Sequence, residues 1–429
     1  MKISFYNIGC KVNFAETSTI AKQMETLGAE VVEFGEDVDA VLINTCTVTN
    51  NADADCRKII RRALRKSPDA FVGVMGCYAQ LNSDAIAEID GVDAIFGTEE
   101  KFNIPEYIED WQKRNKPLIV NDKLETAEFH AAMSADDASR TRVFVKIQDG
   151  CDYVCTYCAV SHARGPNRSL PFDEIPKFFE KFKSDKYREI ILSGINLGEY
   201  SSGDKRFADV VNLIDELKIV PRVRISSIEP NLLKEEIIRR VADSKTFCPH
   251  FHIPLQSGSD EILALMKRRY KSKTFLDLVR QINEIIPDCC IGVDVIAGFP
   301  GETDACFRQS YDLLESLPIS YLHVFTYSER ENTPAAEYGG RVDPIVRKER
   351  TKALRALSDK KRDEFHDSQI GRILTVIPEQ ISKKTGLWTA WTENYVHTEF
   401  EGPAGIEGTP MKAKMIERNG MFVRAELIV

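Results

Sequence analysis

The 429-residue sequence predicts an α/β protein in three parts: an amino-terminal parallel α/β sheet domain, a central partial (β/α)6 barrel and a small carboxy-terminal antiparallel β-barrel. Three observations predict it. Short apolar runs alternate with helical periods along most of the chain, the pattern of parallel sheets covered by helices. A polar, small-residue stretch divides this series in two. After Gly371 the helical periods stop, and short strands punctuated by glycine turns take over.

In chain order, strands are expected at 3–8, 40–43 and 71–75, with a helix from Thr19 to Leu27 and a second helix before the third strand. Functional loops of such sheets lie beyond the carboxyl ends of the strands. Cys10, Cys46 and Cys77 all fall there. Residues 1–122 make up this first domain, and residues 123–140, rich in Ala, Ser, Asp and Glu, read as a linker. The central domain, 141–365, carries six strand-and-helix units, with strands at 143–147, 189–192, 223–226, 251–254, 291–296 and 321–325 and a charged helix at 346–365. Strands at 373–377, 396–400, 412–416 and 422–428 form the last domain, 366–429.

Composition narrows the function. With 43% hydrophobic and 29% charged residues, no basic and apolar leader and no run of about 18 apolar residues, the chain reads as a soluble, cytoplasmic protein. Eleven cysteines is an odd number, and a cytosolic chain has little use for a disulfide scaffold, so metal ligation is their leading use. A net charge of −9 leaves nucleic-acid binding to local basic clusters.

Cys151, Cys155 and Cys158 form C-x3-C-x2-C just after the barrel's first strand. Three thiolates leave one iron of a 4Fe-4S cluster without a protein ligand, and that iron can bind the amino and carboxylate groups of S-adenosylmethionine (SAM). The competing reading is a zinc site, which needs a fourth ligand; His162 is the only near candidate. The spacing of Cys10, Cys46 and Cys77 says less, because cysteine is often a small buried hydrophobe. Cys56, Cys248, Cys289, Cys290 and Cys306 read as packing residues.

Basic clusters follow. Arg57, Lys58, Arg61, Arg62, Arg65 and Lys66 share one face of a helix whose other face holds Ile59, Ile60, Ala63 and Leu64. Lys267, Arg268 and Arg269 form a second cluster, and Arg347-Lys348 through Lys360-Lys361-Arg362 a third. Such stripes suit RNA phosphates or are simply solvated faces. Trp388, Trp391 and Tyr395 could stack on unpaired bases or fill the core of the last barrel.

Several motifs in order carry a resemblance: Gly150-Cys151-Asp152-Tyr153-Val154-Cys155-Thr156-Tyr157-Cys158, Ala163-Arg164-Gly165-Pro166-Asn167-Arg168, Ser193-Gly194-Ile195-Asn196-Leu197-Gly198, Ser226-Ser227-Ile228-Glu229-Pro230, Pro254-Leu255-Gln256-Ser257-Gly258 and Asp294 through Glu302. Over nearly its whole length the chain resembles the methylthiotransferase family of radical SAM enzymes, and its last domain resembles the small RNA-binding TRAM barrel. The resemblance implies two 4Fe-4S clusters, one on Cys151, Cys155 and Cys158 and one on Cys10, Cys46 and Cys77. It further implies SAM contacts at Ser193, Gly194, Asn196, Glu229, Gln256, Ile296 and Gly298, although Glu229 and Gln256 could equally satisfy buried backbone groups. The implied reaction removes hydrogen from carbon-2 of a tRNA adenosine and adds a methylated sulfur, consuming two SAM molecules per product, with no general base required.

Gly9-Cys10-Lys11-Val12-Asn13 resembles the branch acting on threonylcarbamoyladenosine beside the tRNA anticodon. The isopentenyladenosine branch typically has Gly-Cys-Gln-Met-Asn there, and the branch acting on a ribosomal-protein aspartate Gly-Cys-Pro-Lys-Asn. Asn7-Ile8 departs from the more usual Thr-Leu. Implied partners are the tRNA anticodon stem-loop, an electron donor such as flavodoxin or ferredoxin, and a sulfur source, with the chain acting as a monomer and without a membrane. A reading from another class is a non-catalytic iron–sulfur RNA-binding protein, which predicts no SAM cleavage.

Overall fold

The computed structural model describes residues 1–47, 50–108, 110–122, 124–134, 141–183 and 187–428. Its first domain is built on β1 (Lys2–Asn7), α1 (Lys11–Thr26), β2 (Glu30–Val32), β3 (Ala40–Thr45), α2 (Asn50–Lys66), β4 (Phe71–Gly76), α3 (Cys77–Leu81), β5 (Ala94–Phe96) and β6 (Leu118–Val120). The strands form one parallel sheet in the order β2-β1-β3-β4-β5-β6. β3 and β4 are buried at every residue, as the centre of a sheet covered on both faces must be. β2, β5 and β6 go beyond the expected strands; with three residues each they are too short to show a period. α1 begins at Lys11, well before the expected start near residue 19, because its buried face includes Asn13 and Glu16, whose polarity hides the apolar period.

The stretch expected to be a linker is partly built in. Leu124–Thr126 makes a helical turn with Leu124 buried. β7 (Ala132–Met133) pairs antiparallel with β8 (Arg142–Lys146), and Met133 N donates to Thr19 Oγ1 at 2.9 Å. Lys123 and residues 135–140 of the expected linker lie outside the described residues.

From β8 the chain passes through the short helix α4 (Val160–Arg164), β9 (Glu189–Ser193), β10 (Arg222–Ile225), β11 (His250–His252), β12 (Cys290–Ala297) and β13 (Tyr321–Thr326) to the long helix α5 (Pro344–Ser368). The six strands from β8 to β13 run parallel in sequence order; Val223↔Phe247 and Ser227↔His252 bridges join the two halves into an open barrel. Val143, Val145, Ile190, Leu192, Val223, Ile225, Phe251 and Val293 pack outward into the main hydrophobic core. Alternate residues therefore face the barrel interior, among them Phe144, Ile191, Arg224, His252 and Asp294. α5 starts on Pro344 with Asp343 as its cap, the Asp343 side chain accepting from Ile345 N at 2.7 Å.

The last domain is a closed barrel of β14 (Ile373–Ile381), β15 (Trp388–Thr392), β16 (His397–Phe400), β17 (Met411–Asn419) and β18 (Phe422–Leu427). β15 was not among the expected strands. Its two tryptophans divide the labour: Trp388, 2% exposed, is core, and its Nε1 donates to Pro403 O at 3.0 Å, whereas Trp391 turns toward the central barrel. Arg222 and Arg224 on β10 donate to the carbonyls of Trp391 and Glu393 at 2.9 and 3.1 Å, docking the two barrels. Among the described residues no helix is long and apolar enough to cross a membrane.

Candidate active site: two cysteine triads on one cavity

Cys10, Cys46 and Cys77 sit at the carboxyl ends of β1, β3 and β4, the three adjacent central strands of the first sheet. Backbone sterics fix the approach of the third. Gly76 has φ +97°, and a Cβ there would lie 2.2 Å from Asn44 Oδ1 and 2.8 Å from Thr45 O, so only glycine lets the chain turn into Cys77. Gly150 does the same before Cys151, with φ +67° and Pro166 O 1.9 Å from where its Cβ would be.

The two triads meet. A cavity of about 300 Å3 is lined by Cys10, Cys46 and Cys77 from the first domain and by Cys151, Cys155 and Cys158 from the barrel. Burial pushes the thiols of Cys10, Cys151, Cys155 and Cys158 up, Cys158 to about 11. A metal–sulfur core would convert them to thiolate ligands. His162, the fourth ligand that a zinc reading needs, is exposed and lines a different cleft. Cys56, Cys248, Cys289, Cys290 and Cys306 are buried and line no part of this cavity, in line with packing roles.

Beneath the triads lies a buried charge network that sequence patterns do not mark. The Glu16 carboxylate on α1 receives Lys101 Nζ at 2.6 Å, Lys146 Nζ at 2.9 Å and Arg164 Nη1 at 2.7 Å, all with side chains 1% exposed or less. Asp149 takes Lys146 at 2.9 Å and Arg164 at 3.1 Å. Burial alone would raise the Glu16 pKa, but Arg164, Lys101 and Lys146 overcome it and hold the carboxyl well below its usual range. Asp149 is lowered in the same way, against burial, by Lys146 and Arg164. Arg164 Nη2 also donates to Asn13 Oδ1 at 2.5 Å, and Asn13 Nδ2 to Thr45 O at 2.9 Å, which ties the α4 cation to the backbone carrying Cys10 and Cys46. With Arg168 reaching Asp149 at 3.5 Å, four cations against two carboxylates leave excess positive charge below the site, suited to an anionic thiolate-bound cluster.

Of the residues expected to contact SAM, Gly194, Asn196, Glu229 and Gln256 line the cavity. Among the described residues, Asn196 Oδ1 and Gln256 Oε1 are buried there with no hydrogen-bond partner, so a donor-bearing ligand fits them. Gln256 is held at φ +67°, a left-handed conformation of the kind that gathers at functional sites. Ser193, Ile296 and Gly298 do not line it. Ser193 O is taken by Ile147 N at 3.1 Å, and its hydroxyl turns to Ile191 O at 3.2 Å. Ile296 belongs to a small hydrophobic cluster with Phe299 and Tyr327, and Gly298 backs onto Arg347, whose Cγ lies 2.3 Å from where a Cβ would be.

Comparison with known proteins is consistent with this geometry. Residues 145–314 match the radical SAM superfamily, and residues 2–97 match the uncharacterized protein family UPF0004. The chain is 36% identical to a threonylcarbamoyladenosine tRNA methylthiotransferase of Bacillus subtilis (strain 168), across 98% of this chain and 96% of that one. The chain belongs to the radical SAM methylthiotransferase family. A tRNA-2-methylthio-N6-dimethylallyladenosine synthase of the same organism is 31% identical, over 98% of this chain and 84% of that one. Among solved structures, a radical SAM methyltransferase from Kitasatospora setae shares the fold with a TM-score of 0.55 at 15% identity, covering 78% of this chain and 77% of that one.

The basic clusters of this methylthiotransferase divide on inspection. On α2, Arg61, Arg62 and Arg65 are exposed, opposite the buried Ile60 and Ala63. Lys58 is also exposed and pairs with Asp55 at 2.9 Å, while Arg57 donates to Tyr78 OH at 2.9 Å. Lys267 and Arg269 are exposed, Arg269 lying over the Tyr153 ring at 4.1 Å beside the second triad. Arg268 is a correction. Its side chain is 3% exposed, pairs with Glu229 and donates to Cys155 Sγ at 3.1 Å, so it serves the cavity and is no phosphate contact. Arg347 and Lys361 of the third cluster are likewise buried, holding Glu329 and the Leu317 carbonyl. Trp391 and Tyr395 form no outward stacking face: their rings stack at 4.4 Å against each other under Arg142 and Arg224, between the two barrels.

Proposed function

We propose that this enzyme inserts a methylthio group at carbon-2 of threonylcarbamoyladenosine beside the tRNA anticodon. The observation that carries the reading is the convergence of both cysteine triads and two unpartnered buried amide oxygens on one cavity. The branch is supported by the relative at 36% identity and its name. When bound, one 4Fe-4S cluster with SAM supplies the radical that removes hydrogen, and a second supplies the methylated sulfur.

The chain's own residues prepare the site. Cys151, Cys155 and Cys158 would hold the first cluster and leave one iron for SAM's methionine end. Cys10, Cys46 and Cys77 would hold the second across the cavity. Asn196 and Gln256 would accept hydrogen bonds from SAM. Arg268 gives Cys155 a charge-assisted hydrogen bond and pairs with Glu229, whose pKa burial raises in spite of that cation. Arg61, Arg62, Arg65, Lys267 and Arg269 would meet phosphates of the anticodon stem-loop. The enzyme acts in the cytoplasm as a monomer, served by a flavodoxin- or ferredoxin-type electron donor and a separate sulfur source.

The test is mass spectrometry of tRNA nucleosides from a host lacking its own enzyme. The intact chain restores 2-methylthio-threonylcarbamoyladenosine, and Cys10→Ala and Cys155→Ala do not. Methylthiolated isopentenyladenosine from the intact chain would refute the substrate, and no methylthio-adenosine at all would refute the reaction.

A further inference from the structure

We propose that a second cavity, reached through Lys11, is the recognition pocket for the carboxylate on the N6 substituent of the substrate base. The inference rests on the substrate reading above and deepens it. The pocket, about 520 Å3, lies between the inner face of the central barrel and the last domain, and Lys11, Arg142, Arg224, Glu379, Trp391 and Tyr395 line it.

The charges there do not cancel. Arg142 is matched by Glu379 at 2.6 Å, and Arg224 by Glu189 at 3.0 Å. Lys11 is accessible and its ammonium makes no hydrogen bond or ion pair with any described residue. A cation on a pocket wall, with no counter-charge among the described residues, suits an anionic occupant.

Position supplies its identity. Lys11 directly follows Cys10, and Ile191 on β9, which lines this pocket, is three residues before Gly194 of the cysteine cavity just past the strand's end, about 10 Å at ~3.3 Å per residue. In this proposal the N6 arm of a base presented between the triads spans that separation to reach Lys11. A threonylcarbamoyl arm ends in a carboxylate and brings amide and hydroxyl groups. A dimethylallyl arm is hydrocarbon and would leave Lys11 unmatched, so the pocket selects against it. An RNA phosphate shares the anionic chemistry, and the test separates the two sources.

Cluster-loaded full-length enzyme, wild type, Lys11→Gln and Lys11→Arg, is assayed for kcat/KM with two anticodon stem-loop RNAs, one carrying threonylcarbamoyladenosine and one with its threonyl carboxylate converted to the amide. Visible absorbance and iron content confirm that each variant is loaded. On the carboxylate RNA, Lys11→Gln loses about 10- to 100-fold, the scale of one hydrogen bond to a charged group. Lys11→Arg recovers most of it. Wild type loses a similar factor on the amide RNA, and Lys11→Gln no longer distinguishes the two RNAs. Equal loss by Lys11→Gln on both RNAs would assign Lys11 to a phosphate and overturn the proposal, as would no loss. A wild type silent on both RNAs would overturn the substrate reading, and this inference with it.

Discussion

Replacing Glu16 by alanine is expected to destabilise the folded chain by about 3–5 kcal/mol, the range for breaking a buried ion pair by removing one partner. Glu16 is the hub on which Lys101 from the first domain and Lys146 and Arg164 from the barrel converge. Without it, three cations face the single Asp149 carboxylate in a site closed to water. The lowered pKa values set the pH dependence. Both carboxyls titrate below their unfolded values of about 4.3 for Glu and 3.9 for Asp. Their contribution is therefore complete above that range and is lost as pH falls through the folded pKa values. Wild type should lose stability steeply below about pH 4, and Glu16→Gln should flatten that slope. Urea midpoints measured across the acid range read both effects.

The second large effect separates the triads. Alanine at Cys151, Cys155 and Cys158 together should abolish SAM cleavage and methylthio transfer alike, a loss beyond about 1000-fold for chemistry that this cluster initiates. Alanine at Cys10, Cys46 and Cys77 should abolish methylthio transfer while SAM cleavage persists. Either triple variant should keep about four of about eight irons, because each triad holds one 4Fe-4S cluster. Iron analysis beside product assays checks this, and loss of all iron from the second variant would show that the triads are not independent sites.

What the sequence reveals depends on how local the signal is. The C-x3-C-x2-C spacing and the strand-end placement of Cys10, Cys46 and Cys77 are local, and the structure brings all six together. The six barrel strands are legible because each is a compact apolar run, and after the first they alternate with helices. β15 is not, since Trp388 and Trp391 read equally well as binding residues, and only closure of the barrel shows that one is core and the other faces inward. The Glu16 network joins residues up to 148 positions apart, which no window along the chain can register. Arg268 misleads for the same reason: among neighbouring cations it looks like surface charge, and its burial is decided by Glu229 and Cys155 far away in sequence.

The central claim is that both triads act on one carbon of one base. The most direct measurement follows deuterium from carbon-2 of threonylcarbamoyladenosine in an anticodon stem-loop RNA, using the cluster-loaded enzyme and SAM. The account requires the label to appear in 5′-deoxyadenosine in proportion to methylthio product. Methylthio product accompanied by unlabelled 5′-deoxyadenosine would contradict it.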